Sequence, residues 1–266
     1  MLSRFSQNLN QSIASFIVAL LCVLAVGGLQ IPQLKKLRVG APIASPEELK
    51  REIQSEKDRL NLLQTIPTFG FHNFLADWVF LGFLQYFGDD KARALTDYRL
   101  SPDYFEVIID RDPRFLDAYY YLAVSASIYA GMPGRSIALM EKGLKTLSPK
   151  VPQNSYYIWR QKGIDELLFL GNAQAAKQSF VMAAEWASVY SDARSQQVAA
   201  LSSKTAKFLA SNPNSKIAQV SAWTMVLTNA NDVRTQKIAI NRIQALGGKI
   251  VVTPEGVVKV EQPKED

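Results

Sequence analysis

Histidine and cysteine are almost missing from this 266-residue chain: each occurs once, as His72 and Cys22. A lone cysteine excludes an intramolecular disulfide, and a lone histidine with no cysteine beyond residue 22 leaves no pair of soft ligands to share a metal. No glycine-rich loop runs into a Lys-Ser/Thr pair, which excludes the common phosphate cradle, and no G-x-S-x-G elbow is present. Carboxylates that stand close together, such as Asp110 and Asp112, fall at a helix end before Pro113. Turn and cap chemistry accounts for them better than acid/base work does. The expectation is a protein that is not an enzyme, with no catalytic, cofactor-binding or metal-binding residues. Acids are scarce in one stretch: residues 192–250 hold eight Lys or Arg and two Asp, so this part carries +6, the formal balance of the whole chain.

Apolar residues are plentiful instead, 48% against 20% charged, as in a folded globular chain. Residues 13–31, IASFIVALLCVLAVGGLQI, hold nineteen consecutive positions without a charge. A bilayer core of about 30 Å needs roughly 20 apolar residues of helix, and a continuous helix satisfies its own backbone there. We read 13–31 as a transmembrane helix after an N-terminal tail, 1–12. A cleaved signal peptide ending near Gly27–Gly28 is the competing reading, but the run exceeds the usual 7–15 residue signal core and only Arg4 precedes it. Lys35, Lys36 and Arg38 follow the run, which favours an outside N-terminus and a cytoplasmic main domain.

A linker, 32–45, leads to Ser45-Pro46-Glu47-Glu48, a helix start with a cap, a first-turn proline and a capping-box glutamate. The stalk helix expected over 46–66 carries a narrow apolar stripe through Leu49, Ile53, Leu60 and Leu63. Residues 69–88, FGFHNFLADWVFLGFLQYFG, form a second apolar run in which eight of twenty residues are aromatic and Asp77 is the only charge. An aspartate near the centre of a span costs about 2.5–3.5 kcal/mol on insertion scales. A buried helix is therefore preferred to an interfacial helix or a second span. Asp77 then needs a partner, with Arg93, Arg99, Arg111 and Arg114 as candidates. His72 is expected to pack at the start of this helix with a ring nitrogen bonded to backbone.

Six residue pairs stand forty apart: Tyr119 and Trp159, Ala123 and Gly163, Gly131 and Gly171, Ser136 and Ala176, Met140 and Phe180, Gly143 and Ala183. Each unit reads as a helix closed by glycine and a second helix that carries small and large residues on one face. Repetition of such a pair is the mark of an α-solenoid. The order of residues resembles the tetratricopeptide repeat: Trp159 and Gly163 keep the first-helix spacing, and Gly171, Ala176, Phe180 and Ala183 keep the spacing from turn through second helix. The interval from Gly163 to Gly171 is one residue too long, and the unit from Tyr119 to Pro149 shares that insertion. An earlier unit is traced through Trp78, Gly82, Ser101, Phe105 and Pro113. Together these units place tetratricopeptide-like repeats within 67–190. The resemblance implies a stacked helical fold whose surface binds other proteins. The whole chain is similar to single-pass tetratricopeptide-like proteins of cyanobacteria, which implies a thylakoid membrane and an assembly or accessory role for a photosynthetic membrane complex.

Helices expected at 192–210, 215–228 and 233–246 make a cap over 191–248. Residues 249–266 hold a small β-hairpin around Pro254-Glu255-Gly256 and a tail. The fold class is thus all-α with one hairpin. Candidate partner-binding residues are the tyrosines Tyr119, Tyr120, Tyr121, Tyr156 and Tyr157, since tyrosine is a frequent interface anchor, and the basic set Lys204, Lys207, Arg234, Lys237 and Arg242. The partners expected are proteins in or at the membrane, with an anionic lipid surface as a second choice for the basic set. Nucleic acid is not expected, because that region offers only Phe208 and Trp223 for stacking. Two alternatives stay open: a pigment- or haem-associated protein using His72, and an enzyme with an unrecognised site.

Overall fold

The computed structural model describes residues 17–28, 31, 46–230, 233–252 and 258–264. Among these it contains twelve helices and one two-stranded antiparallel sheet, so the chain is mostly helical. It divides into two compact units between Glu52 and Ile53. The first holds α1 (17–28) and the start of α2 (Pro46–Thr65). Among the described residues no helix is long and apolar enough to cross a membrane. At 1.5 Å per residue α1 covers about 18 Å. The remainder of the expected span, 13–16 and 29–30, lies outside the described residues, as do the linker 32–45 and the capping serine at 45.

In the second unit α2 buries Leu60 and Leu63, with Ile53 packed beside the same cluster. Its C-terminal carbonyls are capped from α5 (Ser101–Arg111): Nη2 of Arg111 donates to the carbonyls of Leu63, Gln64 and Ile66 at 2.8, 2.7 and 2.9 Å. A cation there answers both the orphan acceptors and the negative end of the helix dipole. Arg111→Ala should cost about 1.5–3 kcal/mol, the range for hydrogen bonds to a charged group. Urea unfolding reads this directly, and a loss below about 0.5 kcal/mol, the scatter of ordinary surface substitutions, would contradict the capping role.

The aromatic run forms α3 (His72–Gly88), and here one expectation needs correction. Leu75, Ala76, Val79 and Phe83 are buried, but Phe74, Trp78 and Leu81 on the opposite side are exposed. Only half of the helix is core. Phe83 anchors that half, with ring centroids 4.5 Å from Phe105 and 5.9 Å from Tyr104, edge to face. Asp77 lies on the exposed side and needs no partner. The arginines proposed for it are placed otherwise: Arg93 stacks on Tyr86, Arg99 pairs with Asp97, Arg111 caps α2, and Arg114 is exposed.

The short α4 (Asp90–Thr96) leads into α5, which packs along α3. Next, α6 (Leu116–Leu122) continues as a π-helical segment, Ala123–Tyr129, and α7 (Pro133–Leu144) folds back on it. Then α8 (Tyr156–Leu168) pairs with α9 (Ala173–Ser188), α10 (Ala193–Ser211) packs on α9, and α11 (Lys216–Asn229) pairs with α12 (Val233–Ala245) while also touching α8. Asn172, Asp192 and Ser215 cap α9, α10 and α11 by accepting backbone N–H bonds at 3.0, 2.9 and 3.1 Å. Gly131 and Gly171 turn the chain between paired helices at φ +66 and +63, where a side chain would be strained. Strands β1 (Lys249–Val252) and β2 (Val258–Glu261) pair with Ile250 opposite Val260, and both side chains pack on the Val220–Trp223–Ala239–Ile243 cluster of α11 and α12. That contact answers the marginal stability of a lone hairpin. Its turn, 253–257, lies outside the described residues.

Candidate binding groove

The π segment, α8 and α11 enclose a groove of about 590 Å³. Its walls include Val124 and Ile128 from the π segment, Ile164 from α8, and Met225 and Val226 from α11, with Asp117, Asn154, Gln161 and Asp165 among the polar groups between them. Apolar walls with a few convergent polar groups are the usual anatomy of a ligand site. Arg160 of α8 is the group that stands out. It is half-buried, its Nη2 lies 3.2 Å from the Met225 sulfur, and among the described residues no carboxylate forms an ion pair with it. Burial pulls its guanidinium below the ordinary value, offset in part by Tyr157 and Tyr156. A desolvated cation lacking a counter-charge is costly, and proteins pair such groups as a rule. Arg194 stands at the same groove: its Nε donates to the Tyr157 hydroxyl at 3.0 Å and its guanidinium lies over the Tyr157 ring at 5.6 Å. Two arginines thus stand about one tyrosine, and Asp117 and Asp165 also line the groove.

The second of these carboxyls is buried. Asp165 accepts from Ser127 of the π segment at 2.5 Å, from Ser136 of α7 at 3.0 Å and from Gln161 at 3.3 Å. Burial raises its pKa to about 7 against the pull of these three donors. Its neighbour Glu166 faces α9. There Lys162 donates to Glu166 at 2.5 Å and to Ser179 at 3.2 Å, and Ser179 donates to Glu166 at 2.6 Å. Lys162 also pairs with Glu141 of α7 at 3.2 Å. This second network is closed: the buried ammonium has two carboxylates, which is how a core tolerates one.

The tyrosines named from sequence divide by position. Tyr119, Tyr120 and Tyr157 line the groove. Tyr119 and Tyr156 are almost fully buried; their hydroxyls bond to the Pro113 carbonyl at 2.8 Å and to Ser195 at 3.1 Å. Tyr121 is half-buried against Phe80, at 5.4 Å between centroids. The basic residues are exposed, Lys204 and Lys207 on α10 and Arg234, Lys237 and Arg242 on α12. Arg234 covers the rings of Tyr129 and Tyr98 at 4.5 and 5.4 Å. His72 is exposed, and its Nδ1 lies 2.8 Å from the Thr68 hydroxyl, not against backbone as expected. No group of three His, Cys, Asp or Glu among the described residues is placed to hold a metal ion.

Sequence reasoning missed Arg160, Lys162, Asp165 and Glu166, because charges on a helix ordinarily mark its wet face. A signal was available: Glu166 stands three residues after Gly163, on the side that the repeat alignment turns toward the next helix. Comparison of the chain with protein-family models, with characterised proteins and with solved structures finds no match.

Proposed function

We propose that this protein is a membrane-tethered adaptor whose groove takes an extended segment of a partner protein and anchors one acidic side chain on Arg160. The observation that carries this reading is the half-buried Arg160 guanidinium, which forms no ion pair among the described residues although Asp117 and Asp165 line the same groove. A carboxylate entering there would supply the missing charge in two parallel hydrogen bonds, and Arg194 with Tyr157 would hold the flanking backbone. The helix pairs α3/α5, α6 with its π segment/α7 and α8/α9 support a tetratricopeptide-like solenoid as the framework. The uncharged run 13–31 supports the tether, with the N-terminus outside and the groove on the cytoplasmic side. A thylakoid complex and its assembly form the setting that the sequence resemblance suggests.

The test is an array of extended peptides that carry Asp or Glu and their Asn or Gln counterparts. Acid-bearing peptides should bind and the amide forms should not. Arg160→Met should lose about tenfold or more in affinity, the equivalent of about 1.4 kcal/mol. The same variant should melt at a higher temperature than the parent, because it removes an uncompensated buried cation. Equal binding of acid and amide peptides, or unchanged affinity in Arg160→Met, would refute the assignment. Crosslinking in native membranes then identifies the partner.

A further inference from the structure

The turn between α2 and α3 and the outer side of α3 hold apolar side chains in water. Phe69 is 87% exposed, Phe71 and Phe74 71%, Leu81 58% and Trp78 50%. No charged residue occurs between Arg59 and Asp77. This turn is built rather than slack. Phe69 sits in the left-handed region at φ 49 beside Gly70 at φ 92, Phe71 N–H bonds to the Thr68 carbonyl at 2.8 Å, and Arg111 grips the three carbonyls ahead of it. A left-handed conformation costs a non-glycine residue about 1–2 kcal/mol. Each phenyl kept from burial forgoes about 1.5–3 kcal/mol more. A fold that accepts both terms to hold phenyl groups outward places them for something apolar that is not part of this chain's core.

We propose that this surface, Phe69, Phe71, Phe74, Trp78 and Leu81, inserts into the boundary between headgroups and acyl chains of a lipid bilayer. The inference rests on the tether proposed above. Aromatic side chains prefer that depth, and the uncharged stretch from residue 60 to 76 lets the turn enter without desolvating an ion, while the exposed Asp77 and the Arg59 guanidinium over the Trp78 ring keep that end of the surface at headgroup level. A few rings alone would bind lipid weakly and reversibly, as a single acyl chain does. A tether changes this, because the second contact becomes intramolecular and is governed by effective concentration. The fourteen residues 32–45 can span at most about 50 Å, more than the roughly 30 Å of α2, so the tether does not hold the turn away from the bilayer. A groove-bound partner and a lipid-docked α3 are compatible, since the groove is formed by other helices.

The experiment uses the full chain with Cys22→Ser, reconstituted in phosphatidylcholine–phosphatidylglycerol vesicles, with a nitroxide at one cysteine: Phe69→Cys, Phe74→Cys, Leu20→Cys or Leu201→Cys. Each label replaces an exposed side chain, and circular dichroism confirms that the variants keep the parent's helix content. Collision with oxygen against collision with a water-soluble nickel chelate reads lipid exposure. Labels at 69 and 74 should favour oxygen by about fivefold or more relative to 201, as expected of groups at interfacial depth. If 69 and 74 meet nickel as freely as 201 does while 20 is shielded, insertion is wrong and the tether stands. If 20 also meets nickel freely, the tether fails, and labels at 69 and 74 that stay shielded would still support insertion. Shielding at 69 accompanied by spin–spin broadening that grows with protein density would assign the surface to a second copy of the chain and overturn the proposal.

Discussion

Asp165→Asn should leave stability nearly unchanged at about pH 3.5 and raise it progressively above that, by about 2 kcal/mol or more at pH 8.5. The reason is the burial of this carboxyl among Ser127, Ser136 and Gln161, which lifts its pKa from 3.8 to about 7. The folded protein therefore holds the proton more tightly than the unfolded chain does. Between those two values the native state binds the extra proton, so stability from this group is full below about pH 4 and falls as pH rises to about 7. Above pH 7 the fold carries a buried anion. Three units of pKa correspond to about 4 kcal/mol as an upper bound. Asparagine keeps the shape of the neutral acid, with one acceptor and a donor that the two serine hydroxyls can meet. Other groups titrate too: Glu56 is held below its ordinary value by Arg59 and Tyr104 in spite of burial, and it contributes with the opposite slope. The difference between parent and variant, measured by urea unfolding at a series of pH values, cancels such terms. A difference that stays flat from pH 5 to 8.5 would show that Asp165 remains ionised in the fold.

Much of the helical layout could be read from local chemistry. Asp192 and Ser215 occupy N-cap positions at the residues where helices were expected to begin, because short acceptors satisfy free N–H groups in any context. The β-branched runs on either side of Pro254-Glu255-Gly256 became paired strands for a similar reason. The one-residue excess between Ala123 and Gly131 shows a local irregularity turned into geometry. Here α6 widens into the π segment, where Ala130 N–H reaches the carbonyl of Ser125, five residues back, at 2.9 Å. In the next unit α8 stays α-helical to Leu168, and the same excess falls in the turn before Asn172. Sequence spacing located the excess residue but did not say which solution each unit would take; in the first the π segment also carries Ser127, whose hydroxyl donates to Asp165 across the core.

Three-dimensional pairing was harder to read. Periodicity suits α3 to a buried position equally on every side, since apolar residues surround the helix; which side stays uncovered depends on the neighbours present, and α5, with side chains of α2 and α6, covers only one. The groove was illegible for the same reason. Arg160 becomes unusual only when α11 brings Met225, and no carboxylate, against it. Tyr157 was noticed as one of a cluster of aromatics, but its role beside Arg194 comes from α10.

Gly143→Ala tests how far such pairing overrides local preference. Alanine is a better helix former by about 1 kcal/mol, so propensity alone predicts a more stable protein. The repeat alignment agrees, because Ala183 holds the matching place in the next unit. The structure predicts the reverse. A Cβ at 143 would stand 1.9 Å from the Tyr119 hydroxyl oxygen and 2.7 Å from its Cζ. Tyr119 has no room to retreat: it is fully buried, and its hydroxyl is bonded to the Pro113 carbonyl. Overpacking of this kind costs 1–3 kcal/mol or more, and loss of the buried hydroxyl's bond adds about 1 kcal/mol, so a net destabilisation of about 3 kcal/mol is expected. In a Tyr119→Leu background the same alanine should cost nothing or stabilise slightly, a coupling that only direct contact produces. Urea unfolding of the two singles and the double variant gives the answer, and a Gly143→Ala protein as stable as the parent would show that Tyr119 does not pack as described. The next unit solves the same position differently. Trp159, the counterpart of Tyr119, is half-buried and turns edge-on to Trp186 at 5.9 Å, which leaves room for Ala183. Two aromatic residues at one repeat position thus demand different small partners: the Tyr119 hydroxyl reaches past residue 143 to the Pro113 carbonyl, whereas the Trp159 ring packs on Trp186 and its indole N–H bonds to no described group.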